Sequence, residues 1–337
     1  MEVFAHAQRS SATLSEISAS VQTQLAEVEA RIAAQAAEFD PAIEGYVTYA
    51  VGGRGKRLRP LLALLSGGAT GEIKSAHLDL AMIVELIHIA TLVHDDIMDD
   101  AERRRAQPTV NARWGNSLSV LLGDCLFAQA LNLSTNFESA EVSRAIAKAA
   151  REVCSGEIIQ TQRRFDLQLS IDDYLRIVMM KTGSLFAVAA ELGAMLNDAP
   201  VSTQEALRAY GMRIGGAYQI YDDCLDIAGD ETAIGKTLGT DLRNGKLTLP
   251  ALMLLKSARP EDREQYCQWI LGDRPEAIAD LLKSSASNEA LKASIDYGQE
   301  LITDAMAGLV GLTSGQSADS LLALGDAVKA LFDQLRP

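Results

Sequence analysis

The sequence predicts an all-α fold, a large antiparallel helical bundle with a central cavity, on three observations. Apolar residues recur at steps of three and four through most of the chain. Alternation of period two is nowhere sustained, so no sheet of consequence is expected. The connections between the long periodic runs are only a few residues, which makes consecutive helices antiparallel neighbours around a core able to host a cavity. With 48% hydrophobic residues, the 337-residue chain has ample material for that core. No linker rich in Pro, Gly or Ser divides it, so residues 1–337 read as a single domain.

Residues 12–36 carry Leu14, Ile17, Val21, Leu25, Val28 and Ile32 on one stripe, a surface for packing or for a second subunit. Pro41 starts a short helix that Gly52-Gly53-Arg54-Gly55 breaks. The break runs into Lys56-Arg57-Leu58-Arg59-Pro60, where close backbone approach beside clustered cations suits an anion site, and equally an ordinary charged turn. Helices are then expected over 60–68, 75–99, 117–135, 139–164, 172–195, 202–228 and 246–257, with shorter ones to the end.

The helix over 75–99 ends in Asp95, Asp96, Asp99 and Asp100, followed by Arg103-Arg104-Arg105. Asp95 and Asp99 share a helical face one turn apart, a spacing that grips hard cations. Asp222, Asp223 and Asp226 repeat the spacing at the end of another apolar run. Carboxylates bridged by metal beside guanidinium forks are a way of holding a polyanion such as a diphosphate. Glu85-x-x-His88 has the spacing of di-iron bundles, but those need two copies, and no Glu stands three residues before His6, His77 or His94. His88 lies two turns before Asp95 on nearly the same face, which fits a ligand-facing role.

Lysine plus arginine number 31 against 45 aspartate plus glutamate, net −14, which argues against nonspecific nucleic-acid binding. Four cysteines (Cys125, Cys154, Cys224, Cys267) stand far apart without CxxC pairing, as reduced thiols do, and the opening residues lack the pattern of a signal peptide. No uninterrupted apolar run reaches the ~18–20 residues of a membrane span. The expectation is a cytoplasmic protein with no membrane span.

In this order, GGRGKRLRP at 52–60, HDDIMDDAERRR at 94–105, KTGSLF at 181–186 and GKTLGTDLRNGKLT at 235–248 resemble the trans-isoprenyl diphosphate synthases, also called polyprenyl synthetases. The resemblance covers roughly 45–250. It implies a head-to-tail prenyltransferase that joins isopentenyl diphosphate to an allylic diphosphate, usually as a homodimer. By the same resemblance Asp95 and Asp99, with Asp96, hold two Mg2+ ions, and Asp222, with Asp223 and Asp226, a third. Arg104, Lys181, Thr182, Gln219, Lys236 and Lys246 match the allylic diphosphate shell. Lys56, Arg59, His88 and Arg105 match the isopentenyl diphosphate site. One departure is Ala106-Gln107 where the family has Gly-Lys, which alters the turn and removes a positive charge.

In the family, side chains before the first motif set product length. The places that hold bulky aromatics in early-stopping enzymes carry Ala90 and Thr91 here, with Ile87 and Val84 a turn further back. A channel open along this helix, and a medium- or long-chain product, are expected, unless Phe127, Leu131 or Phe137 supplies a floor. A short-chain synthase and a non-catalytic partner subunit are the competing readings. Retention of both aspartate motifs and the aligned cations argues against the second.

Overall fold

In the computed structural model, which describes residues 16–53, 55–104, 107–228, 239–272, 281, 284–311 and 313–336, helices form where the apolar spacing places them. They are α1 (Gln22–Ala34), α2 (Glu44–Val51), α3 (Leu58–Thr70) and α4 (Ser75–Met98). After a hairpin of β1 (Arg103–Arg104) and β2 (Gln107–Pro108) come α5 (Val110–Trp114), α6 (Asn116–Ser134), α7 (Ala140–Gln162), α8 (Ile171–Val178) and α9 (Ser184–Met195). The chain continues through α10 (Val201–Ala228), α11 (Thr240–Arg243), α12 (Leu249–Ser257), α13 (Pro260–Leu271), α14 (Ser285–Ala307) and α15 (Gln316–Asp333). The two-residue strands are too short to leave a period-two signature, and β1 is formed by Arg103 and Arg104.

Starts are fixed by side-chain caps. Ser139, Ser170 and Ser284 accept from the backbone N–H of Glu141, Asp173 and Ser287, satisfying donors the first turn leaves open. At the start of α4, His77 Nδ1 accepts from the Lys74 N–H at 3.0 Å while Nε2 meets Gly193 O at 3.0 Å, pinning α4 to α9.

Two helices are apolar on nearly every side because every side is packed. In α4, Leu80, Ile83, Val84, Leu86, Ile87 and Ala90 are fully buried. In α9, so are nearly all residues from Leu185 to Ala194. α9 lies against α3 and α10, and α4 against α3 and α6. α7 shows the opposite pattern, a single buried stripe of Val142, Ile146, Ala149, Val153 and Gly156 with charges behind it. Between α8 and α9, Met179–Gly183 forms a π-helical turn.

Three segments, Ser75–Met98, Asn116–Ser134 and Ile171–Met195, are long and apolar enough to cross a membrane by length and composition. Each is interrupted by polar residues, which is why a reading of uninterrupted runs passes over them. The first and third are 72% and 78% buried inside the bundle and so are core helices, whereas the second is only 33% buried.

Close helix approach depends on small residues. A Cβ on Gly193 would lie 2.5 Å from Ala63 O, a backbone atom of α3 that cannot yield. Gly193→Ala is therefore expected to force α9 off α3 and cost about 1–3 kcal/mol of stability. Chemical denaturation measures it, and an unchanged midpoint would contradict this packing.

Candidate active site

A cavity of about 690 Å3 opens at the inner end of α4. Its walls come from the loop before α3, from α4, α6 and α7, from the π-helical turn and from α10. One carboxylate of each aspartate motif, Asp95 and Asp222, lines it. Burial pushes the Asp95 carboxyl up to about 6, with Lys181 pulling it down and Glu157 and Asp99 pushing it further up.

The structure divides the remaining aspartates. Asp99, one turn beyond Asp95, accepts from Lys246 Nζ at 2.6 Å and has Arg164 Nη2 at 3.7 Å. Asp96 is buried on another side of α4, where its Oδ1 takes Arg104 Nε at 2.9 Å and Nη2 at 2.8 Å. Asp223 is also buried and accepts from Tyr174 Oη at 2.5 Å and Gln219 Nε2 at 3.0 Å. Burial beside Asp241 pushes its carboxyl up to about 8 against those two hydrogen bonds. Asp226 accepts the backbone N–H groups of Thr240 and Asp241 at 3.2 and 3.1 Å, which holds the start of α11. Asp96, Asp99, Asp223 and Asp226 thus already serve protein donors, and none of the four is part of the main cavity's lining.

Among the described residues, no three His, Cys, Asp or Glu side chains gather into a ready-made metal cage. Magnesium does not require one, since it keeps waters and takes one or two carboxylates together with substrate phosphate oxygens. The donors at the cavity, Asp95 and Asp222 with Asp99 beside them, are all oxygens. Asp95 is held with its charged form disfavoured until a cation compensates it. That set fits a hard divalent ion.

Cations ring the same space. Lys181, carried by the π-helical turn, pairs with Glu157 and donates to Gln160 Oε1 at 3.0 Å. Its neighbour Thr182 donates to Gln219 Oε1 at 2.8 Å. The turn sits close against α7 because a Cβ on Gly156 would meet Lys181 N at 2.7 Å. Lys56 donates to Tyr218 Oη at 3.3 Å, and Arg59 stacks over the Phe186 ring at 4.6 Å from its centroid. His88 and Arg104 line both this cavity and an adjoining pocket of about 340 Å3 beneath the glycine loop and the hairpin. Arg105 and Lys236 lie outside the described residues.

Of the two length-setting positions, Thr91 lines the cavity, in step with His88 three residues earlier and Asp95 four later. Ala90 is fully buried and lies off the cavity, because one helical step turns it into the core with Ile87 and Val84. On this helix the lining runs back from Asp95 through Thr91 and His88 to Glu85, and Ala90, Ile87 and Val84 are not part of it. Phe127, Leu131 and Phe137 are half-buried and packed against the core, also off the cavity lining.

Sequence reasoning passed over Glu157, Tyr174, Phe186 and Tyr218. Glu157 had a signal, since it continues the buried stripe of α7 four residues after Val153, where an acid needs a partner. The aromatic residues read as ordinary core.

Residues 40–287 match the family model described as polyprenyl synthetase. Octaprenyl diphosphate synthase of Escherichia coli (strain K12) is 37% identical over 216 residues, covering 64% of this chain and 67% of that one. A polyprenyl synthase from Caulobacter crescentus CB15, solved in complex with calcium and isoprenyl diphosphate, superposes with a TM-score of 0.87 at 34% identity, covering 94% of this chain and 97% of that one. A decaprenyl diphosphate synthase from Rhodobacter capsulatus gives 0.88 at 32% identity, over 96% and 100% of the two chains. With its aspartate pair, its ring of cations and a family match over most of its length, the chain belongs to the polyprenyl synthetase family.

Proposed function

We propose that this member of the family condenses isopentenyl diphosphate head to tail with an allylic diphosphate and extends it to a medium- or long-chain all-trans polyprenyl diphosphate. The observation that carries the reading is the pair Asp95 and Asp222, one from each motif, on a single cavity ringed by Lys181, Lys56 and Arg59. Octaprenyl and decaprenyl synthases among its relatives support the product class.

Asp95, Asp99 and Asp222 are the oxygens that would hold Mg2+, up to three ions with the diphosphate. Bound magnesium supplies neutralisation of the charge that builds on the departing diphosphate. Lys181 and Lys246, held by Glu157 and Asp99, are the lysines that would meet phosphate oxygens. Arg104 and Lys236 complete that shell, with Thr182 and Gln219 orienting each other. Lys56, Arg59, His88 and Arg105 hold the second diphosphate by cationic contacts alone. The allylic C–O bond breaks with its electron pair leaving on the diphosphate, the isopentenyl double bond attacks the resulting cation, and the proton lost afterwards passes to the released diphosphate. Positioning and exclusion of water provide much of the remaining rate.

The reading extends to assembly. Leu121 on α6 is 65% exposed and stands outside the cavity lining, an apolar side chain suited to contact with a second copy. Four free cysteines suit a reducing, cytoplasmic setting, with residues 1–337 working as one catalytic domain. Light scattering is expected to return the mass of two chains, and Leu121→Asp that of one.

Incubation of the purified protein with isopentenyl and farnesyl diphosphates tests the function directly. A polyprenyl chain resolved by chromatography supports it, and a product that stops at one addition supports a short-chain enzyme instead. Asp95→Ala and Asp222→Ala are each expected to lower turnover by about a hundredfold or more with unchanged circular dichroism. In the unaltered protein, a proton on Asp95 competes with the cation, so Mg2+ affinity measured by calorimetry should fall as pH drops through about 6 and level off above it. Thr91→Phe should shorten the product, whereas Ala90→Phe should overpack the core and lower the melting midpoint without a defined new length. Equal product lengths for Thr91→Phe and the unaltered protein would remove α4 from length control.

A further inference from the structure

Arg57 has a backbone and a side chain that the catalytic scheme leaves unused. It sits between Lys56 and Arg59 in the left-handed region, at φ 48° and ψ 39°, a conformation that arginine adopts only where its surroundings impose it. What imposes it is visible. Arg57 Nη1 donates to Glu85 Oε1 at 2.7 Å, Nη2 to Glu29 Oε2 at 3.0 Å and to Gly53 O at 3.1 Å, and Nε also bonds Glu29. One guanidinium thereby ties α1, the glycine loop and the middle of α4.

Glu85 of the Glu-x-x-His spacing is engaged by Arg57. Its side chain is 4% exposed and stands one turn before His88, in the wall shared by the main cavity and the adjoining pocket. It also serves Arg59. That guanidinium is buried over Phe186, and its Nε has no hydrogen-bond partner among the described residues. Burial draws the Arg59 pKa down, and Glu85 is the foremost of the nearby groups that oppose it. A buried cation with an unspent donor is ready for an anion, but only while its arm is aimed and its charge retained.

We propose that Arg57 and Glu85 are positioning residues for the metal-free diphosphate site: their buried pair locks residues 55–59 in the left-handed turn at Arg57 that aims Lys56 and Arg59 into the cavity. Both belong to the cavity wall, and their part is to hold Lys56 and Arg59 in place. The proposal rests on the prenyltransferase reading given above and deepens it, and it assigns the pair to the isopentenyl diphosphate side only.

The test is steady-state kinetics of the full-length protein with each substrate varied in turn, beside the thermal shift produced by isopentenyl diphosphate without metal. Arg57→Gly gives the backbone its left-handed turn freely but removes the guanidinium, and Glu85→Gln keeps the shape while removing the charge. Both should raise KM for isopentenyl diphosphate roughly ten- to a hundredfold and abolish its thermal shift, leaving KM for the allylic substrate and kcat within about threefold. Glu29→Gln, on the exposed branch, should raise the same KM only about two- to threefold. If Arg57→Gly retains the original KM, the backbone alone suffices and the proposal is overturned. It is equally overturned if both KM values rise together with a lowered melting midpoint, which is what a purely structural role gives. Should Arg57→Gly fail to fold, Glu85→Gln and Glu29→Gln decide by the same comparison. An unaltered protein that forms no product counts against the proposed function instead, and the thermal shift then still reports on the loop.

Discussion

Carboxylates at the end of a buried helix need counter-charges, and α4 cannot supply them itself. Most of α4 is enclosed by α3 and α6, its C-terminus carries the negative end of the helix dipole, and four aspartates crowd that end. Each compensating cation is delivered from another segment: Arg104 of β1 to Asp96, Lys246 beyond α11 to Asp99, and Lys181 of the π-helical turn beside Asp95. Since leaving either partner of a buried pair alone is costly, these contacts specify where the hairpin, the turn and the segment at 246 must sit. The open end of the bundle is organised by charge, and the rest of it by apolar packing.

A second layer of polar contacts lies behind the cavity wall. Tyr174 bonds Asp223, Asp223 bonds Gln219, and Gln219 bonds Thr182, a chain running from α8 through α10 to the π-helical turn. Arg57, Glu85 and Glu29 form a comparable group on the opposite side. Thr182, Gln219, Arg57 and Glu85 belong to the wall itself, and Tyr174, Asp223 and Glu29 stand behind it and fix their orientation.

How much of this was legible follows from what a one-dimensional pattern records. The 3.6-residue period of α7 was plain because one stripe of it is buried, α4 was plain as a long apolar run, and the repeated aspartate spacing stood out because acids rarely end apolar runs. The hairpin at 103–108 was not legible, because two residues per strand carry no period. Which of the six aspartates face inward was not legible either: neighbouring residues on a helix differ by about 100°, so Asp95 reaches the cavity while Asp96 turns to Arg104. The same angle separates Thr91 from Ala90. Arg57 and Glu85 were visible as residues but not as a pair, since 28 positions separate them and only the fold brings them together.

The π-helical turn at Met179–Gly183 has an implication for how this chain tolerates change. One additional residue is accommodated within a turn, so α8 and α9 run out of angular phase with each other, and Lys181 and Thr182 occupy the step between them. Deleting a single residue there would restore a regular helix and swing either the whole inner face of α9 or that of α8 by roughly a quarter of a revolution. Point substitutions in these two helices are individually absorbable, whereas a one-residue gap in that short stretch would be ruinous, and related chains should differ in spelling here far more readily than in length.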